Sequence, residues 1–364
     1  MTNILFPKNT IKNPMGFDAQ EALEHVAQTQ GRGRSFSEVT TKYPEKPVVI
    51  FGGGTSAVRD HDSQGRSYLE ACKEGGINVM AGSAVRLLNP DKIKGDETPV
   101  SSADWVVFNA VDGGDQSAYY KDSLDDAVSQ KIQNIALASY NAPEAFDIAK
   151  AKMGVPYVFR YNALLQGAEY GDEPVIGAGS TAPTAAVALM LSLGHREFTM
   201  VGVDAGELQP VPEVLQDSLQ QAGLTATWTQ ENAQIDPAAL PEMPDRYQTY
   251  ALPAEFQNTL KHNQVALLVG QNHVSVIPWG QWCLLEEMNH MMEQCPEAQF
   301  HFLGDSLASA HFHYGQDVRV IHTPYPEHLA LGTVLQGKNL PLDPDTVLKN
   351  NHSIQVGQWR YESP

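Results

Sequence analysis

Short apolar runs recur along the first half of this chain without the in-out alternation of a sheet that faces water on one side. They are Pro47 to Phe51, Ile77 to Ala81, Trp105 to Asn109, Ile135 to Ser139, Tyr157 to Arg160 and Phe198 to Val203. A strand that is apolar at every position is buried on both faces, and parallel sheets covered by helices are where such strands occur. Helical stretches lie between the runs, for example Ser67 to Lys73, closed by Gly75 and Gly76. Strands alternating with helices predict an α/β fold: a Rossmann-like parallel sheet with helices on both faces, over residues 46–206.

The flanking segments read differently. Residues 1–45 are polar, carry Gln-Gly-Arg-Gly-Arg at 30–34, and predict an N-terminal arm or a short helical preface rather than core. Residues 207–262 are rich in Pro, Gln and Glu and predict a partly helical connector. A smaller C-terminal α/β region is expected over 263–364, with strands Val265 to Val269, Gln299 to Leu303 and Val318 to His322, a helix Trp282 to Gln294, a short His-rich helix and a last strand near Ser353 to Val356. The apolar spacing within Trp282 to Met292 is that of a core helix.

Charge narrows the partners. With 43 acidic against 24 basic residues the formal charge is −19, which repels a phosphate backbone or an anionic membrane. Nucleic acid is therefore not expected as a partner. No run reaches the roughly 18 apolar residues of a membrane span, and Met1 to Asn13 lacks the apolar core of a signal peptide. A cytoplasmic location is expected, and an oligomer is left open. Cys72, Cys283 and Cys295 show no paired spacing and read as buried, reduced thiols.

Two glycine-rich segments carry the chemistry. Gly52-Gly53-Gly54-Thr55-Ser56-Ala57 follows a strand and matches the G-x-G-x-x-A pattern, in which bare backbone approaches a phosphate. The second strand ends Ala81-Gly82-Ser83, without the acid that binds the ribose of NAD, so NAD is not expected. Gly177-Ala178-Gly179-Ser180-Thr181 opens a buried helix with Pro183 in its first turn and Gly194 at its end, offering further N–H groups and two hydroxyls. Neither segment continues as Gly-Lys-Ser/Thr, which excludes a P-loop kinase. Asp112 and Asp204 each follow a strand, where a carboxylate can bind ribose, hold magnesium or accept a proton, or simply cap a loop. His311-Phe312-His313 falls in a helical stretch where the two rings diverge, so no metal site is assigned.

Phe51-Gly52-Gly53-Gly54-Thr55-Ser56, Asp112, and Gly179-Ser180-Thr181 followed by Val201-Gly202-Val203-Asp204 resemble the MptE-like family over residues 46–206. That family includes archaeal 6-hydroxymethylpterin diphosphokinases and bacterial motility accessory factors, and is similar in fold to bacterial sialyltransferases. Thr55 stands where its early motif usually has proline. The resemblance implies that Gly52, Gly54 and Ser56 line a phosphate-binding turn, that Asp112 sits beside ribose or metal, and that Ser180, Thr181 and Asp204 complete the pocket; Thr55 and Gly179, within the same two segments, are also expected to contact the ligand. It implies a nucleotide-dependent transferase with a nucleotide or nucleotide-sugar donor; the sequence shows no acidic metal cluster, which puts glycosyl transfer ahead of transfer from ATP. The alternatives are a diphosphokinase using ATP and magnesium, and a Rossmann-like module kept only for binding.

Overall fold

The computed structural model describes residues 19–41, 43–73, 76–93, 99–109, 116–161, 175–176, 179–221, 252–270, 272–322 and 334–335. Its strands are β1 (Arg34–Ser35), β2 (Val48–Phe51), β3 (Ile77–Ala81), β4 (Ala103–Phe108), β5 (Ile132–Ala138), β6 (Tyr157–Tyr161), β7 (Val175–Ile176), β8 (Glu197–Val201), β9 (Gln209–Pro210), β10 (Gln264–Val269), β11 (His273–Pro278), β12 (Gln299–Leu303), β13 (Val318–His322) and β14 (Val334–Leu335). Its helices are α1 (Ala19–Thr29), α2 (Ser56–Arg59), α3 (Tyr68–Cys72), α4 (Gln116–Ser123), α5 (Asp126–Ser129), α6 (Pro143–Met153), α7 (Ala182–Ser192), α8 (Glu213–Gln221), α9 (Ala254–Gln257), α10 (Trp279–Gln294) and α11 (Leu307–Phe312).

The chain divides into two compact units. The first holds the described residues up to Asp204 together with Cys283–Gly304. Its sheet runs β1-β6-β5-β4-β3-β2-β8-β12, with β7 added to β6, and every pairing in it is parallel. The protein is therefore α/β, as the unbroken apolar runs predict. Val48, Val49, Ile50 and Phe51 are all fully buried, because helices cover both faces of the sheet. One face packs Val49, Phe51, Val106 and Phe108 against Tyr68 and Leu69 of α3 and Phe146 of α6. α7 lies against β2, β3 and β4. It is buried from Thr184 to Leu191, so its sequence is apolar all round rather than amphipathic.

Two stretches join this unit that composition assigns elsewhere. Residues 19–41 do not hang free as an arm: α1 buries Ala22 and Val26, and β1 pairs with β6. Phe36 then meets Trp105 and Tyr157 at ring-centroid distances of 5.4 and 6.3 Å, a contact that no apolar periodicity announces. At the other end of the sheet, β12 pairs with β8 in register from Gln299↔Glu197 to Leu303↔Val201. The strand order thus draws on residues about 100 positions apart, across the boundary expected at 206.

The second unit comprises Ala205–Trp282 and Asp305–Asn339, and its sheet is antiparallel, in the order β14-β13-β10-β11-β9. Residues 207–221 and 252–262 belong to this core: Leu215 and Leu219 of α8 and Phe256 of α9 pack with Leu268 and Ile321. Ser306 caps α11 in a reciprocal arrangement with Ser309, so the His-rich segment is a helix. His311 is buried there, its Nδ1 3.0 Å from the carbonyl of Gln316. No helix among the described residues is long and apolar enough to cross a membrane.

Candidate functional site

The strand order reverses at β2. From β2 the chain builds outward through β3, β4, β5 and β6, then returns through α7 to place β8 on the other side of β2. Such a switch point leaves a crevice outside the carboxyl ends of the two central strands, where open α/β sheets bind ligands. The segments leaving β2 and β8 at that point are Gly52–Ser56 and Gly202–Asp204.

These two segments interlock. Gly52 N–H donates to the Val201 carbonyl and Gly54 N–H to the Gly202 carbonyl, each at 2.8 Å. A Cβ on Gly52 would collide with the Gly202 carbonyl, and one on Gly54 with the Asp204 carboxylate. Gly202 itself has φ +66°, which ends β8 two residues before the sequence run does. The Asp204 carboxylate accepts from the Ser56 N–H at 3.1 Å and from the Ser56 hydroxyl. Burial pushes the Asp204 carboxyl up from its ordinary value, while the two Ser56 bonds and Arg59 oppose that shift. A carboxyl so raised titrates closer to neutrality and suits proton acceptance. Thr55 is exposed at the first position of the turn before α2, whereas Ser56 is buried beneath it.

The second glycine segment has another arrangement. Gly179, Ser180 and Thr181 are all buried. Their donors hold an internal carboxylate: Glu287 of α10 accepts from Gly179 N–H at 3.1 Å, from Ser180 N–H at 3.0 Å and from the Ser180 hydroxyl at 2.7 Å. Glu287 is 3% exposed. A helix N-terminus attracts negative charge, and here the protein supplies that charge itself. Thr181 caps α7 together with Thr184. Asn109, at the end of β4, donates to the Gly179 carbonyl at 2.6 Å and fixes the same loop from the sheet side. Beside Glu287, Glu286 is buried with its carboxyl pushed up to about 8, first by burial and then by the charge of Glu287. Two acids within the apolar helix Trp282–Met292 were the sequence signal for this network.

Of the residues named from sequence, the structure brings Gly52, Gly54, Thr55, Ser56 and Asp204 together at the switch point, and sets Gly179, Ser180 and Thr181 around Glu287. Gly82 links the two groups: its Cα faces the methyl of Ala182 in α7, and its neighbour Ser83 abuts Gly53. Asp112 and Gly177 lie outside the described residues. Among the described residues no three His, Cys, Asp or Glu side chains gather as a metal cage. Cys72, Cys283 and Cys295 are buried and form no disulfide, and burial pushes the Cys72 thiol up to about 12.

No protein-family model matches the chain, and no curated protein matches it. A solved structure, the MAf glycosyltransferase from Magnetospirillum magneticum AMB-1, aligns with 86% of this chain at 15% identity and a TM-score of 0.43. The alignment covers 41% of that structure's chain, so this protein spans less than half the length of that glycosyltransferase.

Proposed function

We propose that this protein is a nucleotide-dependent transferase that holds a nucleotide-activated donor at the carboxyl edge of its parallel sheet, with glycosyl transfer as the reaction. The observation that supports this reading is the meeting, at the topological switch point, of an accessible glycine turn and a carboxyl raised by burial. In the proposed reaction an acceptor hydroxyl attacks the donor sugar carbon. The carbon–oxygen bond to the nucleotide phosphate breaks, the phosphate leaves with the bond electrons, and Asp204 takes the hydroxyl proton. Ser56 holds Asp204 in place, Gly52 and Gly54 let the turn close against the loop after β8, and exposed Thr55 presents the turn to the donor. Gly179, Ser180 and Thr181 act at one remove, by fixing α7 and α10 through Glu287.

Calorimetric titration of CMP, UDP, GDP and ATP, with and without magnesium, tests this reading. One of the first three is expected to bind, and binding of ATP only with magnesium moves the reading to a diphosphokinase. If none of the four binds, the proposal is wrong. Asp204→Asn probes the carboxyl directly: the amide oxygen can still accept from the Ser56 N–H while its NH2 donates to the Ser56 hydroxyl oxygen, so a stability loss of about 1 kcal/mol is expected. The transferase reading further requires that turnover per folded molecule falls by about 100-fold or more.

A further inference from the structure

With the Gly179 and Ser180 N–H groups engaged by Glu287, and the Gly52, Gly54 and Ser56 N–H groups engaged by β8 and its loop, backbone donors for an anion are scarce at this edge. A side chain from the next strand supplies what they do not. Arg86 lies in the 3-10 segment Gly82–Leu88 that follows β3, and its Nη2 donates to the carbonyl of Gly53 at 2.8 Å. Gly53 is the middle glycine of the accessible turn, and Ser83 packs directly against it. Among the described residues no carboxylate lies within ion-pair distance of Arg86. Asp60 is bound by both Nε and Nη2 of Arg59, and Asp204 by Ser56. Among the described residues one of the five guanidinium donors of this exposed side chain finds an acceptor, which leaves four for a ligand.

An exposed arginine is ordinarily mobile and carries no message. This one is tethered to the turn by one arm of its guanidinium, which removes part of the entropy loss of binding, and among the described residues it has no carboxylate partner in a chain of charge −19. Tyr119 of α4, 37% exposed, comes within electrostatic range of Arg86 and stands edge-on to Phe108 at the end of β4. A cation tethered at the end of β2, with the ring of Tyr119 on α4 within its electrostatic range, fits a phosphate next to a flat ring.

We propose that Arg86 is the phosphate contact of this site: its free guanidinium edge takes the phosphate oxygens of the bound nucleotide, in the role that helix N-terminal N–H groups fill elsewhere. This assignment rests on the nucleotide reading given above for the binding of a nucleotide, but not for the binding of a phosphate oxyanion as such. The experiment compares wild type, Arg86→Ala and Arg86→Lys by calorimetry with a nucleotide that binds, its parent nucleoside, and inorganic pyrophosphate. Arg86→Ala is expected to weaken the nucleotide and pyrophosphate by about tenfold or more and leave the nucleoside unchanged, with Arg86→Lys recovering part of the loss. Salt should weaken wild-type binding more steeply than binding to Arg86→Ala. Nucleotide bound equally by wild type and Arg86→Ala overturns the assignment while leaving the transferase reading intact. Pyrophosphate bound through Arg86, with no nucleotide bound by any form, supports the assignment and removes the transferase reading. Equal loss of nucleoside and nucleotide makes Arg86 a structural clamp on Gly53 and overturns the assignment, as does a wild type that binds neither nucleotide nor pyrophosphate.

Discussion

Replacing Glu286 by Gln should change how stability depends on pH more than it changes stability at any one acid pH. The side chain is 6% exposed, and its carboxyl is raised from an ordinary 4.5 to about 8. Below pH 4.5 the acid is protonated in the folded and unfolded chain alike, and it adds no pH dependence. Between pH 4.5 and about 8 the unfolded chain ionises while the folded one keeps its proton. The folded state then binds more protons, and stability falls as pH rises through that window. At about 1.36 kcal/mol per pH unit, the full shift corresponds to about 5 kcal/mol, with about 3 kcal/mol of it lost by pH 7. Glu286→Gln keeps the shape and removes the titration. Its melting temperature should match the wild type near pH 4.5 and exceed it by about 6–12 °C at pH 7, taking about 2–4 °C per kcal/mol for a unit of this size. Thermal melts of both proteins at half-unit intervals from pH 4.5 to 8.5 measure the difference directly, and the other carboxylates of this acidic chain cancel in it. A constant offset between the two proteins across that range would refute the reasoning, since it would mean that Glu286 ionises in the folded state as readily as in the unfolded one.

Glu287→Ala leaves the Gly179 and Ser180 N–H groups buried without an acceptor, and is expected to destabilise by about 3 kcal/mol or more. Acetate or formate should recover part of that loss in the variant but not in the wild type, and melts with and without acetate check it. Gly54→Ala drives a methyl into the Asp204 carboxylate and the Gly202 carbonyl, so a loss of about 1–3 kcal/mol is expected by urea denaturation, against little change for alanine at exposed Thr55.

The parallel sheet was legible because burial on both faces removes alternation, and six unbroken apolar runs are its direct imprint. The glycine turn was legible for the same kind of reason: Gly52 and Gly54 are demanded by the close approach of the loop after β8, a backbone constraint that only glycine meets. Its partner Asp204 could be named, but its bond to Ser56 could not, because the two are 148 residues apart. Gly179-Ser180-Thr181 reads from sequence as a ligand loop, since a helix N-terminus shows its need for negative charge but not what satisfies it. That depends on Glu287, more than 100 residues on, in a helix whose spacing marks it only as core. β1 has two residues and β12 five, so neither announces which sheet it joins, and the difference between the compact units and the composition shifts follows from that. Arg86 carried no motif; its meaning lies in the one carbonyl it binds.

β12 completes the large sheet from a position near residue 300, and synthesis gives that late pairing a cost in time. A ribosome that has made residues 1–204 has released seven of the eight strands along the main path of the sheet, leaving β8 with a row of unpaired backbone groups on its outer edge. The Gly179 and Ser180 donors also wait for Glu287 until the same stretch of chain emerges. At about 5–20 residues per second, the hundred residues in between occupy several seconds, during which an open edge is free to pair with another nascent chain. The fold thus ties the solubility of its first two hundred residues to the arrival of its last parallel strand, and a gene fragment ending at Asp204 is a poor unit for expression.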